Sequence, residues 1–166
     1  MQYVAPIGHL SCTEFDNLLK YVKISNKGER LVISTRKNIN QKEEMRVTIT
    51  NPSLRKISAS GANNIKVRNI IADEFDVDVS GACSIGLKGD AENLRIDMSG
   101  ASSLDAKALH SSYVKIDCSG ASSAEIYAAE SLTADVSGVS HLKFAGNPSL
   151  TNIKASGVSS IDAIGE

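Results

Sequence analysis

Four aspartates recur at nearly equal intervals through the middle of this 166-residue chain. They stand three residues before successive glycines, at Asp78, Asp97, Asp117 and Asp135. On parallel strands about 4.8 Å apart, adjacent carboxylates would repel each other by about 0.9 kcal/mol in water. Carboxylate oxygens in such a column could bind a divalent cation with low affinity. The simpler interpretation, which we adopt, is a solvated and partly neutralised charge face that discourages side-on association and holds no metal.

A column of small polar residues follows the same glycines. Two residues after the glycine stand Ser102, Ser122, Ser140 and Ser159. Their hydroxyls can hydrogen-bond the nearby backbone, and this structural role is sufficient to explain them. Alternatively, a regular hydroxyl ridge could line a glycan or another polymer. The chain has no Trp and only four Tyr, which weakens this alternative because aromatic rings usually supply the contact area of such surfaces.

The sequence contains no motif for nucleophilic catalysis, a metal centre or a cofactor. Ser140 and His141 are neighbours in the sequence, and neither a G-x-S-x-G elbow nor a C-x-x-C spacing occurs. We therefore predict a protein that is not an enzyme and has no cofactor. The alternative is a polysaccharide lyase or hydrolase on a β-helix, with stacked acidic residues as its catalytic groups. Connections of five to seven residues are short for the walls of a catalytic cleft.

A repeat defines the elements that position these residues. Six Ser-Gly-Ala or Ser-Gly-Val triplets occur with their glycines 18 to 20 residues apart, which is typical of a solenoid. Apolar residues stand four and two positions before each glycine and four and six positions after it, as in Ile96, Met98, Leu104 and Ala106 around Gly100. This alternation predicts two short strands that meet at a Ser-Gly corner. The polar stretches between the strand pairs, at 68–74, 88–93, 107–113, 127–131 and 145–150, are predicted to be loops.

The predicted architecture is an all-β, single-domain parallel β-helix with coils of about 18–20 residues. The general rule for parallel crossovers favours a right-handed helix. Residues 1–50 are expected to form irregular strands and a cap, and residues 51–166 six regular coils. Within the first segment, 21–25 and 30–34 are predicted to form a hairpin, 36–44 a loop and 45–50 a strand.

Composition excludes several classes of function and partner. The formal net charge of −1 offers no electrostatic footprint for nucleic acid. No apolar run approaches the length of a transmembrane span, and the first ten residues do not resemble a secretion signal. The three cysteines form no framework, and Cys118 occupies an apolar inward column, as a small buried hydrophobe would.

The repeated Ile-x-Ala/Val-Ser-Gly-Ala-Ser-Ser-Ile pattern at 57–65, 96–104 and 153–161 resembles the putative auto-transporter adhesin head domain family, or head GIN domain, of Bacteroidetes-type bacteria. The segment Gly-Glu-Arg-Leu-Val-Ile at 28–33 is similar to the family's G-x-L-x-I segment. The resemblance extends over residues 18–166. It implies a β-helix that is exported to the periplasm, the outer-membrane surface or the exterior after a signal peptide not present in this chain. It implies no catalytic residues.

We therefore predict a non-enzymatic, exported or cell-surface module that acts as an adhesin or as a scaffold for a glycan or protein ligand. A further hypothesis concerns the last coil, whose final strand contains Ile161 and Ala163. An uncovered coil exposes apolar side chains and unpaired backbone groups, which proteins usually cover. We expect a homodimer, or contact with a partner, through this open coil end.

Overall fold

All regular elements in the described part of the chain are β-strands. The structure is a computed structural model that describes residues 2–4, 9–13, 22–27, 30–35, 46–50 and 54–165. Its strands are β1 (Gln2–Val4), β2 (His9–Thr13), β3 (Val22–Lys27), β4 (Arg30–Thr35), β5 (Arg46–Thr50), β6 (Lys56–Gly100), β7 (Ser103–Cys118), β8 (Ser123–Tyr127), β9 (Ser131–Val136), β10 (His141–Ala145), β11 (Leu150–Ala155) and β12 (Ser160–Ala163). The predicted all-β class is confirmed.

Successive coils pair in parallel and in register. On one face, Ile85, Leu104, Ala124, Leu142 and Ile161 form five consecutive rungs, between which the chain makes four turns. On the face before the corner, β7 pairs with β9 and β9 pairs with β11, also in parallel. The chain is therefore the predicted parallel β-solenoid. Its right-handedness remains a prediction.

The corner between the two faces is built from backbone groups. The amide of Val139, at the fifth corner, donates a hydrogen bond of 2.7 Å to the carbonyl of Gly120, at the fourth. The amide of Ala121 donates in the same way to the carbonyl of Gly100, at 2.8 Å, so each of these corners is hydrogen-bonded to the corner before it. Gly120 has a φ of 88°, in the left-handed region that favours glycine. The repeated glycine is thus a requirement of the turn.

The predicted inward columns form the core. Ile57, Val77, Ile96 and Ile116 are all 0% exposed, as expected for one column of a stacked interior. The last described coil departs from this pattern, because Ile153 of the same column is 41% exposed. That coil has a neighbour on one side only among the described residues. The alternation therefore predicts burial correctly for most inward residues of a coil that lies between two others, although Phe144 is only half-buried.

Several connections that were predicted as loops are extended strands instead. Residues 68–74, 88–93 and 107–113 lie within β6 and β7, and Asp90 and Asn93 pair with His110 and Tyr113. A register shift between Gly86 and Lys88 absorbs the extra residue of the later coil. Polar side chains do not prevent this pairing, because stacked connections of almost equal length can satisfy each other's backbone groups. Only the later connections leave strand structure, at 128–130 and 146–149.

Three N-terminal strands, β1, β3 and β4, join the sheet of the solenoid through antiparallel pairs, and β2 and β5 form a separate two-stranded sheet. β3 and β4 form the predicted hairpin, with Lys27 opposite Arg30. β1 pairs with both β4 and β6 and so connects the hairpin to the first coil. The predicted strand before residue 51 is present as β5, and its partner β2 was not predicted. The predicted loop at 36–44 lies outside the described residues, and the division into a cap at 1–50 and six coils at 51–166 remains a prediction.

Candidate functional site

The acidic column predicted from the sequence exists as a column in space. Asp97 is in register with Asp117, and Asp117 with Asp135, on the outer side of the face before the corner. The next rung places Lys154 beside Asp135. The column of aspartates therefore ends at this rung, where a lysine takes the equivalent position.

Lysines also neutralise other members of this column. Lys56 Nζ lies 2.6 Å from Asp78 Oδ2, and Lys115 Nζ lies 3.7 Å from Asp117 Oδ2. Within the described residues, no group of three or more His, Cys, Asp or Glu side chains is arranged to hold a metal ion. The arrangement fits a solvated, partly neutralised charge face. Exposed pairs of this kind contribute little to stability, about 0–1 kcal/mol each.

Calcium should not stabilise the chain beyond the effect of its ionic strength. A cation bound by the acidic column would raise the melting temperature as its concentration exceeds Kd. We expect equal melting temperatures in millimolar calcium chloride and in sodium chloride of the same ionic strength. A calcium-specific rise that disappears in the Asp97→Asn and Asp117→Asn variants would contradict this expectation.

The candidate hydroxyl ridge is turned toward the corner backbone. Ser102, Ser122 and Ser140 are buried, and Ser159 is half-buried. Ser140 Oγ donates a hydrogen bond of 2.9 Å to the carbonyl of Ser137, and Ser122 Oγ donates one of 3.1 Å to that of Ser119. These hydroxyls donate their hydrogen bonds to carbonyl groups of the corner itself, which is a structural role.

Both cysteines whose side chains are described are buried free thiols, Cys83 and Cys118. Cys83 occupies the position of the corner serines, and its Sγ lies 3.3 Å from the carbonyl oxygen of Gly61. Burial, with smaller contributions from Asp117 and Asp97, raises the pKa of Cys118 to about 12. Cys118 is therefore held as a neutral thiol at physiological pH.

The raised pKa of Cys118 predicts a loss of stability in alkali. The folded state favours the neutral thiol, so this contribution is complete below the unfolded pKa, near 9.0, and is lost as the pH rises toward about 12. We expect the melting temperature of the wild type to fall more steeply over this range than that of Cys118→Ala. Thermal melts at matched ionic strength test this, and parallel curves for the two proteins would contradict it.

An exposed Ser–His contact occurs at the coil end. Ser160 Oγ lies close to His141 Nδ1 and 3.5 Å from Asp162 Oδ2. In a catalytic triad, the carboxylate orients the imidazole. Here the carboxylate contacts the serine instead, so the three groups do not form that constellation.

A groove along the extended connections was not predicted from the sequence. It has a volume of about 570 Å³ and crosses four successive coils. One residue with a small side chain from each coil lines it, namely Ala72, Ala91, Ser111 and Ala129. Ala91 is in register with Ser111, and the amide of Ala129 donates a hydrogen bond of 2.8 Å to the Ser111 carbonyl. The small size of these neighbouring side chains leaves the recess.

Polar and aromatic residues flank these small residues. Asp90 and Glu92 stand on either side of Ala91, and His110 and Tyr127 line the groove in the next two coils. The rings of His110 and Tyr127 meet edge to face with centroids 5.0 Å apart, and His110 Nδ1 lies 3.6 Å from Asp90 Oδ1. An alanine followed directly by an acidic residue recurs at 72–73, 91–92 and 129–130. This repeat is the sequence signal that would have revealed the surface.

Most of the chain matches a known protein family. Residues 13–148 match the family described as "Putative auto-transporter adhesin, head GIN domain". The chain belongs to this family. The resemblance noted in the repeat is thereby confirmed, and membership in a family of this description implies a surface or exported location. No helix among the described residues is long and apolar enough to cross a membrane.

A solved structure of low sequence identity shows the same fold as this head GIN domain. A putative adhesin from Bacteroides fragilis NCTC 9343 is 23% identical and superposes with a TM-score of 0.73, over 93% of this chain and 82% of that one. A putative lipid binding protein from Parabacteroides distasonis ATCC 8503 is 17% identical, with a TM-score of 0.46 over 93% and 83% of the two chains. No curated protein is similar enough in sequence to count as a relative.

Proposed function

We propose that this head GIN domain is a non-enzymatic adhesive module that is exported and binds a polymer or protein ligand on its outer surface. The observation that carries the proposal is the open groove across four coils. The interior of the described solenoid is packed with apolar side chains, so the external groove is the surface that offers a ligand a shaped site. The family description names adhesion and names no reaction.

Binding without turnover is the test of this proposal. The purified chain would be applied to arrays of polysaccharides and to surfaces coated with extracellular proteins, with its heat-unfolded form as control. We expect saturable retention of the folded form and no shortening of any retained polymer. Failure to bind any surface would refute the adhesive function.

The alternative function, a polysaccharide lyase or hydrolase, makes a different prediction. Its catalytic groups would be the stacked carboxylates of Asp97 and Asp117, which lie on an outer face of the solenoid. Unsaturated or reducing ends released from an acidic polysaccharide would support this alternative if Asp97→Asn abolished their release. We expect no release by the wild type.

We also propose that the last coil forms a homodimer contact. β11 pairs with β9 along one edge. Leu150 of β11 is nevertheless 68% exposed. Within the part of the chain that the structure describes, the second edge of β11 has no strand partner, and the same edge in a second copy offers matching backbone donors and acceptors, as an isologous contact requires. Sedimentation at micromolar concentration should give a dimer that Leu150→Lys converts to a monomer. A monomeric wild type would exclude this contact at that concentration.

A further inference from the structure

One buried hydroxyl in the groove has no role in the fold. Ser111 is 2% exposed, and its Oγ has no hydrogen-bond partner in the described structure. The buried residues stacked on Ser111 in the adjacent coils are Ala91 and Ala128, so the position does not require a hydroxyl for packing. A buried hydroxyl without a partner costs free energy, and an alanine would avoid that cost. The position of Ser111 in the lining of the groove indicates that its partner comes from outside the chain.

The charge of the groove selects the class of ligand. Among the described residues that line it, Asp73, Asp90 and Glu92 are acidic and Arg55 alone is permanently cationic. Carboxylates only accept hydrogen bonds, so they suit a ligand rich in hydroxyl donors and repel one that carries carboxylate, sulfate or phosphate groups. The described residues offer no metal-binding cluster that would change this balance.

Apolar contact area lies beside these acceptors. Ile71 is 79% exposed at the groove, and the edge-to-face rings of His110 and Tyr127 lie in later coils of the same recess. Rings of this kind present an apolar body together with a polar tip. A sugar ring has the complementary form, because its hydroxyl groups surround a face of C–H groups.

We infer that the groove binds a neutral sugar chain, with Ser111 and the flanking carboxylates as its hydrogen-bonding groups. The inference rests on the proposed adhesive function and names its ligand class. A long, narrow ligand fits the recess, because the recess follows the stacking direction over four coils spaced about 4.8 Å apart. The volume of about 570 Å³ lies in the range of small-ligand sites.

The test measures affinity and stability together on the full chain. The probes are neutral trisaccharides of glucose, mannose and galactose, trigalacturonic acid and tetralysine, studied by calorimetry at low and high salt. We expect one or more neutral trisaccharides to bind with little dependence on salt and trigalacturonic acid not to bind. Ser111→Ala and Glu92→Gln should each weaken that binding at least about tenfold, as loss of a buried or charged hydrogen bond does.

Matched controls separate binding from folding. Ser140→Ala removes a buried hydroxyl that donates to the carbonyl of Ser137, and it should lower the melting temperature without changing Kd. Ser111→Ala should leave the melting temperature unchanged or raise it while Kd increases. Glu125→Gln, in an exposed pair with Lys143 on another face, should change neither quantity measurably.

The remaining outcomes distinguish a failure of the groove, of the sugar class and of the proposed function. Trisaccharide binding that Ser111→Ala and Glu92→Gln leave intact would overturn the groove as the site, while the adhesive function would stand. Binding of tetralysine alone, lost at high salt, would overturn the sugar class in favour of a cationic peptide. If no probe binds but the chain adheres to a protein surface, only this inference fails, whereas failure of both tests rejects the proposed function as well.

Discussion

Replacing Gly120 by alanine is expected to unfold the solenoid or to destabilise it by about 4 kcal/mol or more, a loss in the exceptional range for one substitution. A Cβ on Gly120 would lie 2.5 Å from the carbonyl oxygen of Gly100, closer than real Cβ atoms approach backbone. The backbone of the previous corner is held by hydrogen bonds on both sides, so it has little freedom to retreat. We expect a fall in melting temperature of roughly 8–16 °C, or no cooperative transition.

Gly61→Ala is the matched control for this clash. Gly61 has a φ of 85°, close to that of Gly120, but a Cβ there would meet nothing within 4 Å. Gly61→Ala should therefore show the backbone strain alone, about 1–3 kcal/mol. Calorimetric melts of both variants would separate strain from steric overlap. Equal losses in the two variants would show that the stacking of corners does not determine the choice of glycine.

Truncation of Ile96 is expected to have the next largest effect. Ile96 is 0% exposed and in register with Ile116. Ile96→Ala should destabilise the chain by about 2–5 kcal/mol, because it removes buried methyl groups and leaves a cavity between two coils. Denaturant unfolding would measure the loss as a lower midpoint with an unchanged slope.

The neighbouring residue supplies the control for this prediction. Asp97 points outward beside Asp117, and Asp97→Asn removes one repulsion while preserving the shape of the side chain. Its effect should lie within about 0.5 kcal/mol of the wild type and could be favourable. If Ile96→Ala and Asp97→Asn destabilised the chain equally, the assignment of inward and outward faces would be refuted.

Features that depend on one coil's own residues were predictable from the sequence. The alternation around Gly100 places Ile96 inside and Asp97 outside whatever the next coil does. The direction of the corner serines was harder to predict. Ser140 lies an even number of residues from the inward columns, and a polar side chain there becomes favourable only because a carbonyl of the corner accepts a hydrogen bond from its hydroxyl.

Features that depend on how one coil stacks on the next could not be predicted from the sequence of a single coil. The stretch at 88–93 is polar, so its residues look like a loop, yet it forms strand pairs because the following connection has nearly the same length. The groove has the same origin, because Ala91, Ser111 and Ala129 form a recess only after stacking. An unpaired hydroxyl such as that of Ser111 becomes noticeable only when the burial of its neighbours is known.

The parallel register also has a mechanical consequence. Because each coil hydrogen-bonds to the coils above and below, the bonds lie along the long axis of the solenoid. A pull between the two ends of the solenoid loads these bonds directly in tension. Since each coil contacts only its neighbours, such a load would peel coils from one end in sequence. An attachment site carried by the middle coils would keep its shape until the peeling reached it.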